Sequence, residues 1–151
     1  MNNKITPNIW FHTTDGKLSE VIQYYKNIFG KDFLEGPITP LGKGPSGNAE
    51  MAEVKIFEST YSLMSTEKLH QKFNDSISFI IKCQNQDEID KFWNYFTKEG
   101  KAVQCGWCND KYDLRWQIIP NNLGELMNRP GAWEVMMGQK KIIIEDYLKL
   151  K

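Results

Sequence analysis

Histidine and arginine are scarce in this chain. It holds two of each, His12 and His70, Arg115 and Arg129. Histidine is the commonest general base at neutral pH and a common metal ligand, so its scarcity narrows the catalytic options. Neither histidine belongs to a visible Ser/His/Asp set; His12 reads as a strand-end residue and His70 as part of a polar connection. There is no surplus of one charge either: 19 basic residues balance 19 acidic ones. Such a balance supplies no bulk field to attract nucleic acid or an anionic membrane, and no basic face alternates with aromatics. The expectation is therefore no nucleic-acid partner and no membrane partner. No stretch approaches the ~18 continuous apolar residues of a membrane span. "MNNKITPNIWF" at the start lacks the apolar core of a signal peptide. Cysteine is sparse and odd in number, at three. Without an export signal, reduced thiols and a cytoplasmic location are expected.

What the chain does have is aromatic residues and an internal repeat. Eight Phe, six Tyr and five Trp can furnish the core of one domain spanning residues 1–151; a chain of this size buries about 70% of its unfolded surface. Aligned without a gap at an offset of 68, "NIWF…SEVIQYYKNIF" (8–29) matches "SISF…DEIDKFWNYF" (76–96). Ile9 meets Ile77, Phe11 meets Phe79, Glu20 meets Glu88 and Val21 meets Ile89. Tyr24 and Tyr25 meet Phe92 and Trp93, and Ile28 meets Phe96. Each copy opens with a strand of alternating residues. Each strand leads to a helix whose apolar residues recur at steps of three and four. Asn85 with Glu88 three residues on reads as a helix start, and Gly30 and Gly100 read as helix ends.

Further strands follow each helix. "AEMAEVKIFE" and "YSLMS" form a pair in the first copy, with a turn near Ser59 and Thr60. "KAVQC" and "YDLRWQII" form one in the second, with "NDKYD" as the turn between them. The second copy shows one strand fewer. Module one is placed at about 5–66, module two at about 74–120, and a helical tail broken near Pro130 and Gly131 at about 121–151. The end of the tail, "IIIEDYLKL", is amphipathic and suits either a sheet face or a second subunit.

Two motifs imitate known chemistry. Cys105-Gly-Trp-Cys108 has the spacing of a redox pair, but a reactive thiol of that kind sits at a helix N-terminus. Here a turn and a strand follow, so packed or loop thiols are expected. One such pair with a distant Cys83 cannot supply four zinc ligands. "GKGPSG" (42–47) fits G-x-G-x-x-G, yet Pro45 interrupts it and a strand pattern follows, where a phosphate site needs a helix N-terminus. A flexible loop is expected. Asp87, Glu88 and Asp90 begin the second helix, where acidic residues suit the macrodipole.

In order along the chain, "ITPNIWF", "FNDSISFIIKC", "QDEIDKFW", "QCGW" with Asp110, "LRWQIIP" and "MMGQKKIII" resemble the vicinal oxygen chelate superfamily, which includes glyoxalase I, extradiol dioxygenases and bleomycin-resistance proteins. They resemble in particular its PhnB-like branch, labelled demethylubiquinone methyltransferase-like. The resemblance implies an α+β fold of two tandem βαβββ modules forming a curved mixed sheet around a cleft, with the C-terminal helical tail. It also implies a homodimer. In metal-using relatives, one side chain from the first and one from the last strand of each module line the cleft. By pattern those places fall near Thr6 or Asn8, near Met64, at Ser76 and at Gln117. Relatives place His, Glu or Gln there; here only Gln117 is a usual ligand type, so no metal and no cofactor are expected.

Strand parity extends the candidate list. If Ile9, Phe11, Leu114, Trp116 and Ile118 face the helices, then Asn8, Trp10, Arg115 and Gln117 face the cleft. Ser76, Ser78 and Met64 join them, with Trp107 from the Cys-Gly-Trp signature. Arg115 is read either as a clamp for carboxylate or phosphonate or as half of an ion pair; Trp10 is read as a flat ligand wall or as core. No catalytic residue is assigned. The sequence points to a small-molecule binding protein with a metal-free cleft, its ligand possible as an anion. The alternatives are an enzyme of the same superfamily (lyase, isomerase, dioxygenase or the methyltransferase of the branch label) and a structural or interaction dimer with a vestigial cleft.

Overall fold

The computed structural model describes residues 4–68 and 71–151, so His70 lies outside the described residues. The chain divides into two compact units, Met1–Lys72 and Phe73–Lys151. Among the described residues no helix is long and apolar enough to cross a membrane.

The first unit runs β1 (Asn8–His12), α1 (Ser19–Phe29), a single 3₁₀ turn at Gly30–Asp32, β2 (Phe33–Glu35), β3 (Thr39–Gly44), β4 (Gly47–Ile56) and β5 (Ser59–Thr66). β1 pairs in parallel with β5, which pairs antiparallel with the long β4. The outer edge of β4 is shared by β2 and β3 in succession. α1 turns Val21, Ile22, Tyr24, Tyr25, Ile28 and Phe29 inward, each contributing roughly 1.5–3 kcal/mol if fully buried. Its first turn has no local side-chain cap; Glu50 of β4 accepts from Leu18 N at 2.8 Å instead. The helix covers the face that carries Ile9, Phe11, Ala52, Val54 and Leu63, all buried, with Phe11 and Tyr25 ring centroids 5.9 Å apart.

The second unit runs β6 (Phe79–Cys83), α2 (Gln86–Glu99), β7 (Lys101–Ala102), β8 (Trp107–Asn109) and β9 (Arg115–Pro120), with sheet order β6-β9-β8-β7. As expected, Asn85 caps α2: its side chain accepts from Glu88 N at 2.9 Å, while Glu88 reaches back to Gln84 N at 2.6 Å. α2 buries Ile89, Phe92, Trp93 and Phe96. The Phe96 ring stacks on Trp116 of β9 at 4.7 Å and 10°. The tail forms three short helices, α3 (Leu123–Met127), α4 (Ala132–Gly138) and α5 (Ile144–Leu148), interrupted at Pro130 and Gly131 as expected. It closes a small core of its own, in which Leu126, Ala132, Met136, Ile142 and Tyr147 are buried. The amide of Gln86 fastens this tail to α2 by bonding Ile142 O at 3.0 Å and Ile144 N at 3.0 Å.

The two units thus share the order strand, helix, strands, in a mixed α+β fold with C-terminal helices. Five details differ from expectation. The strand missing from the second copy is β8, because Trp107, Cys108 and Asn109 pair with β9 and β7 where a loop and turn were expected. The first unit has four strands after its helix, since the short β2 and the wholly exposed β3 carry no buried alternation to betray them. "GKGPSG" is the tight hairpin between β3 and β4, not a loose loop; Gly47, at φ 83, lets the chain reverse. The β4–β5 turn falls at Phe57–Glu58, just before the place expected. Finally, the offset of 68 holds for the helices only. Six residues join β1 to α1 but two join β6 to α2, so no ungapped alignment fits both. Ile77 is accordingly 71% exposed in the turn before β6.

Candidate functional site

Strand parity sorts the candidates onto the sheet faces opposite the helices. Ile9, Phe11, Leu114, Trp116 and Ile118 are buried, and the residues alternating with them in β1 and β9 are exposed or half-buried. In the first unit the register brings Trp10, Met64 and Met51 into one row across β1, β5 and β4. The next row places Asn8 beside Ser62 and Glu53. The Trp10 indole N–H donates to Thr66 Oγ1 at 2.8 Å. Asn8 Oδ1 accepts from Ser62 Oγ at 2.8 Å. His12 ends the strand with Nε2 2.9 Å from Glu67 O. A carbonyl can only accept, so this nitrogen carries the proton.

In the second unit Gln117 lies between Ile80 of β6 and Trp107 of β8. Its Nε2 donates to Ser78 Oγ at 2.8 Å. Ser78 directly precedes β6, so the structure joins it to Gln117. Ser76 lies in the preceding exposed turn, its N–H bound to Asn74 Oδ1 at 2.9 Å, and is not on a strand.

Arg115 takes the ion-pair alternative. Its Nε meets Asp75 Oδ1 at 2.8 Å and NH1 meets Asp113 Oδ2 at 2.8 Å, with a further NH1 bond to Asp113 O. Its side chain is only 13% exposed. Burial opposes its charge, but the hydrogen bonds to the two carboxylates outweigh that and raise its pKa. Nε and NH1 are therefore already taken, and two carboxylates balance the charge that would clamp an anion.

The Cys105–Cys108 pair is not redox machinery. All three cysteines are free thiols. Cys108 is fully buried in β8, and burial followed by the nearby Asp110 pushes its thiol up to about 12, the reverse of an activated thiolate. Asp110 itself is structural. It is 2% exposed, accepts from Trp116 Nε1 at 2.9 Å, and braces the 110–114 turn through Tyr112 N and Leu114 N. Met51, Ser62, Thr66 and Ile80 were missed by the sequence reading; the alternation of Met51 with Ala52 and of Ile80 with Ile81 was the available signal.

The profile of the 3-demethylubiquinone-9 3-methyltransferase family matches residues 3–119. The chain belongs to that family. No curated protein matches it. Among solved structures, the PhnB protein of Bacillus cereus is 22% identical over 78% of this chain and 99% of its own, with a TM-score of 0.65. Protein PA1353 of Pseudomonas aeruginosa is 15% identical over 79% and 98%, with a TM-score of 0.55. A point mutant of the fosfomycin resistance protein FosX of Listeria monocytogenes, solved with Mn(II) and 1S,2S-dihydroxypropylphosphonic acid, is 14% identical over 85% and 99%, with a TM-score of 0.54. PhnB and FosX have the vicinal oxygen chelate fold, and the fold of this chain is the same.

The metal of FosX can be tested against the residues of this family member. The places expected from the sequence pattern are Thr6 or Asn8, Met64, Ser76 and Gln117, of which Ser76 lies off its strand. A hard divalent ion takes carboxylates, imidazoles and water; this set has amides, hydroxyls and a thioether. Asn8 and Gln117 already spend an amide atom on Ser62 and Ser78. Among the described residues no three His, Cys, Asp or Glu side chains are grouped to hold an ion. The residues do not fit such a metal.

Proposed function

We propose that this member of the 3-demethylubiquinone-9 3-methyltransferase family is a small-molecule binding protein without a resident metal, its ligand held on a sheet face opposite a helix. One observation supports the reading above all: each sheet carries on that face a part-buried tryptophan beside an uncharged polar side chain, Trp10 near Asn8 and Trp107 beside Gln117. Flat apolar surface with a few polar groups is what small-molecule sites present. Met51 and Met64 extend the first face with adaptable thioethers, which conform to ligands of varied shape.

Methyl transfer, the reaction in the family description, is the second reading. Against it stands the hairpin at Gly42–Gly47, which is the chain's one glycine-rich stretch and leads into a strand. Nucleotide-type cofactors rest on a glycine-rich turn that opens a helix.

A thermal-shift screen of a small-molecule library, with and without Mn(II), tests the proposal. A ligand that binds only the folded state raises the midpoint. Hits are expected in metal-free buffer, weakened by Trp10→Ala or Trp107→Ala. Hits that require Mn(II), or a divalent ion found at one equivalent in the purified protein, would overturn the metal-free part. A screen without hits would overturn the binding role.

A further inference from the structure

We infer that Ser78, Gln117 and Trp107 recognise a neutral, flat molecule bearing a ring carbonyl beside an N–H or O–H, such as a lactam. The inference rests on the small-molecule reading above and specifies its chemistry. Gln117 and Ser78 hold each other at 2.8 Å. Whichever way the amide is turned, the pair spends one of its three donors on this bond and keeps two donors, with acceptor capacity on both side-chain oxygens, for a ligand. Trp107 adds a donor. Its Nε1 has no hydrogen-bond partner among the described residues, and it is not among the sealed, unpartnered atoms, so it reaches the surface. An indole N–H can only donate. The row therefore offers three donors with acceptors set among them, a complement to a carbonyl next to a donor.

Other ligand classes satisfy the row less well. A carboxylate or phosphonate has acceptors only; it would leave the acceptors of the Gln117–Ser78 pair unmet and bring a charge into a row that carries none. The guanidinium two residues along β9 cannot compensate, since Asp75 and Asp113 already occupy it. Lys82 and Lys101, the other cations of this face, stand in different rows at exposed positions. A purely apolar ligand would strip water from all three polar groups and give nothing back. Flatness follows from Trp107 and from Ile80, which is 52% exposed on the opposite side of Gln117.

The experiment is calorimetry with two bicyclic probes of similar shape, 2-quinolone, a neutral lactam, and quinaldate, an anion. The lactam is expected to bind at least about tenfold more tightly, and Gln117→Leu and Trp107→Phe each to weaken it by a similar factor. Trp107→Phe keeps the flat ring and removes only the N–H, so it reads the donor even if Gln117→Leu fails to fold. Quinaldate binding as tightly as 2-quinolone, or 2-quinolone binding unchanged in both variants, would overturn the inference. So would absence of 2-quinolone binding while other library compounds still raise the midpoint, and the general binding role would then survive. If no compound binds, both fall together.

Discussion

Cys105 and Cys108 share a motif but not an environment. The chain turns through a left-handed residue at Cys105, φ 57, and enters β8 two residues later. That places Cys108 in the core beside Trp116 and leaves Cys105 part-exposed, its Sγ donating to Met136 O at 3.4 Å. Cys83 at the end of β6 is also sealed, and burial followed by Glu88 pushes its thiol to about 12. A thiol reagent should therefore titrate one cysteine in the native protein and three after denaturation; more than one fast native thiol would contradict the packing. The same burial sets an alkaline limit. Below about pH 9 both folded and unfolded chains keep these thiols protonated. Between 9 and 12 unfolding releases protons that the folded chain retains, so stability falls as pH rises, on the order of 1 kcal/mol per pH unit per thiol. Cys83→Ala with Cys108→Ala should flatten that limb of a denaturation-midpoint profile, and an unchanged slope would remove the account. The motif was legible in the sequence; which thiol is buried was not, because β8 is three residues long.

Helix ends show how differently two similar elements are started. The start of α2 is local, with Asn85 and Glu88 bonding each other's neighbourhood within five residues. It could be read directly from the chain. The start of α1 depends on Glu50, 32 residues away, whose carboxylate reaches Leu18 N from β4. No local pattern announces that. Asn85→Ala is expected to cost about 1 kcal/mol in chemical denaturation, and Asn85→Asp much less; equal costs would mean the cap is not the cause. The strands divide in the same way. Those with a buried alternation, β1, β4, β5 and β9, were legible. β2, β3 and β8 were not, since each is either very short or exposed along its length.

At the scale of the molecule, the tail decides what surface is left over. α4 buries Ala132 and Met136 but presents Trp133 at 67% and Met137 at 60% exposure, and α5 presents Leu148 at 54%. Exposed apolar patches mark contact with another chain, and we propose that these side chains form one, in a homodimer. Light scattering should give twice the 17.6 kDa chain mass, and Trp133→Lys should shift it toward the monomer; a wild-type monomer at micromolar concentration would end the proposal. By itself the amino-acid sequence determined the alternation that assigns the residues of β1, β4, β5 and β9 to one face or the other, the two helices, the cap of α2 and the breaks in the tail. These are properties of neighbours along the chain, where periodicity and local hydrogen bonding decide. Only the tertiary structure decided that Arg115 is neutralised by Asp75, that Gln117 is held by Ser78, that Met51 joins Trp10 and Met64 in one row, and that Ser76 falls short of its strand. Those pairings join residues brought together by strand register and by the length of a connection, and no local period encodes either.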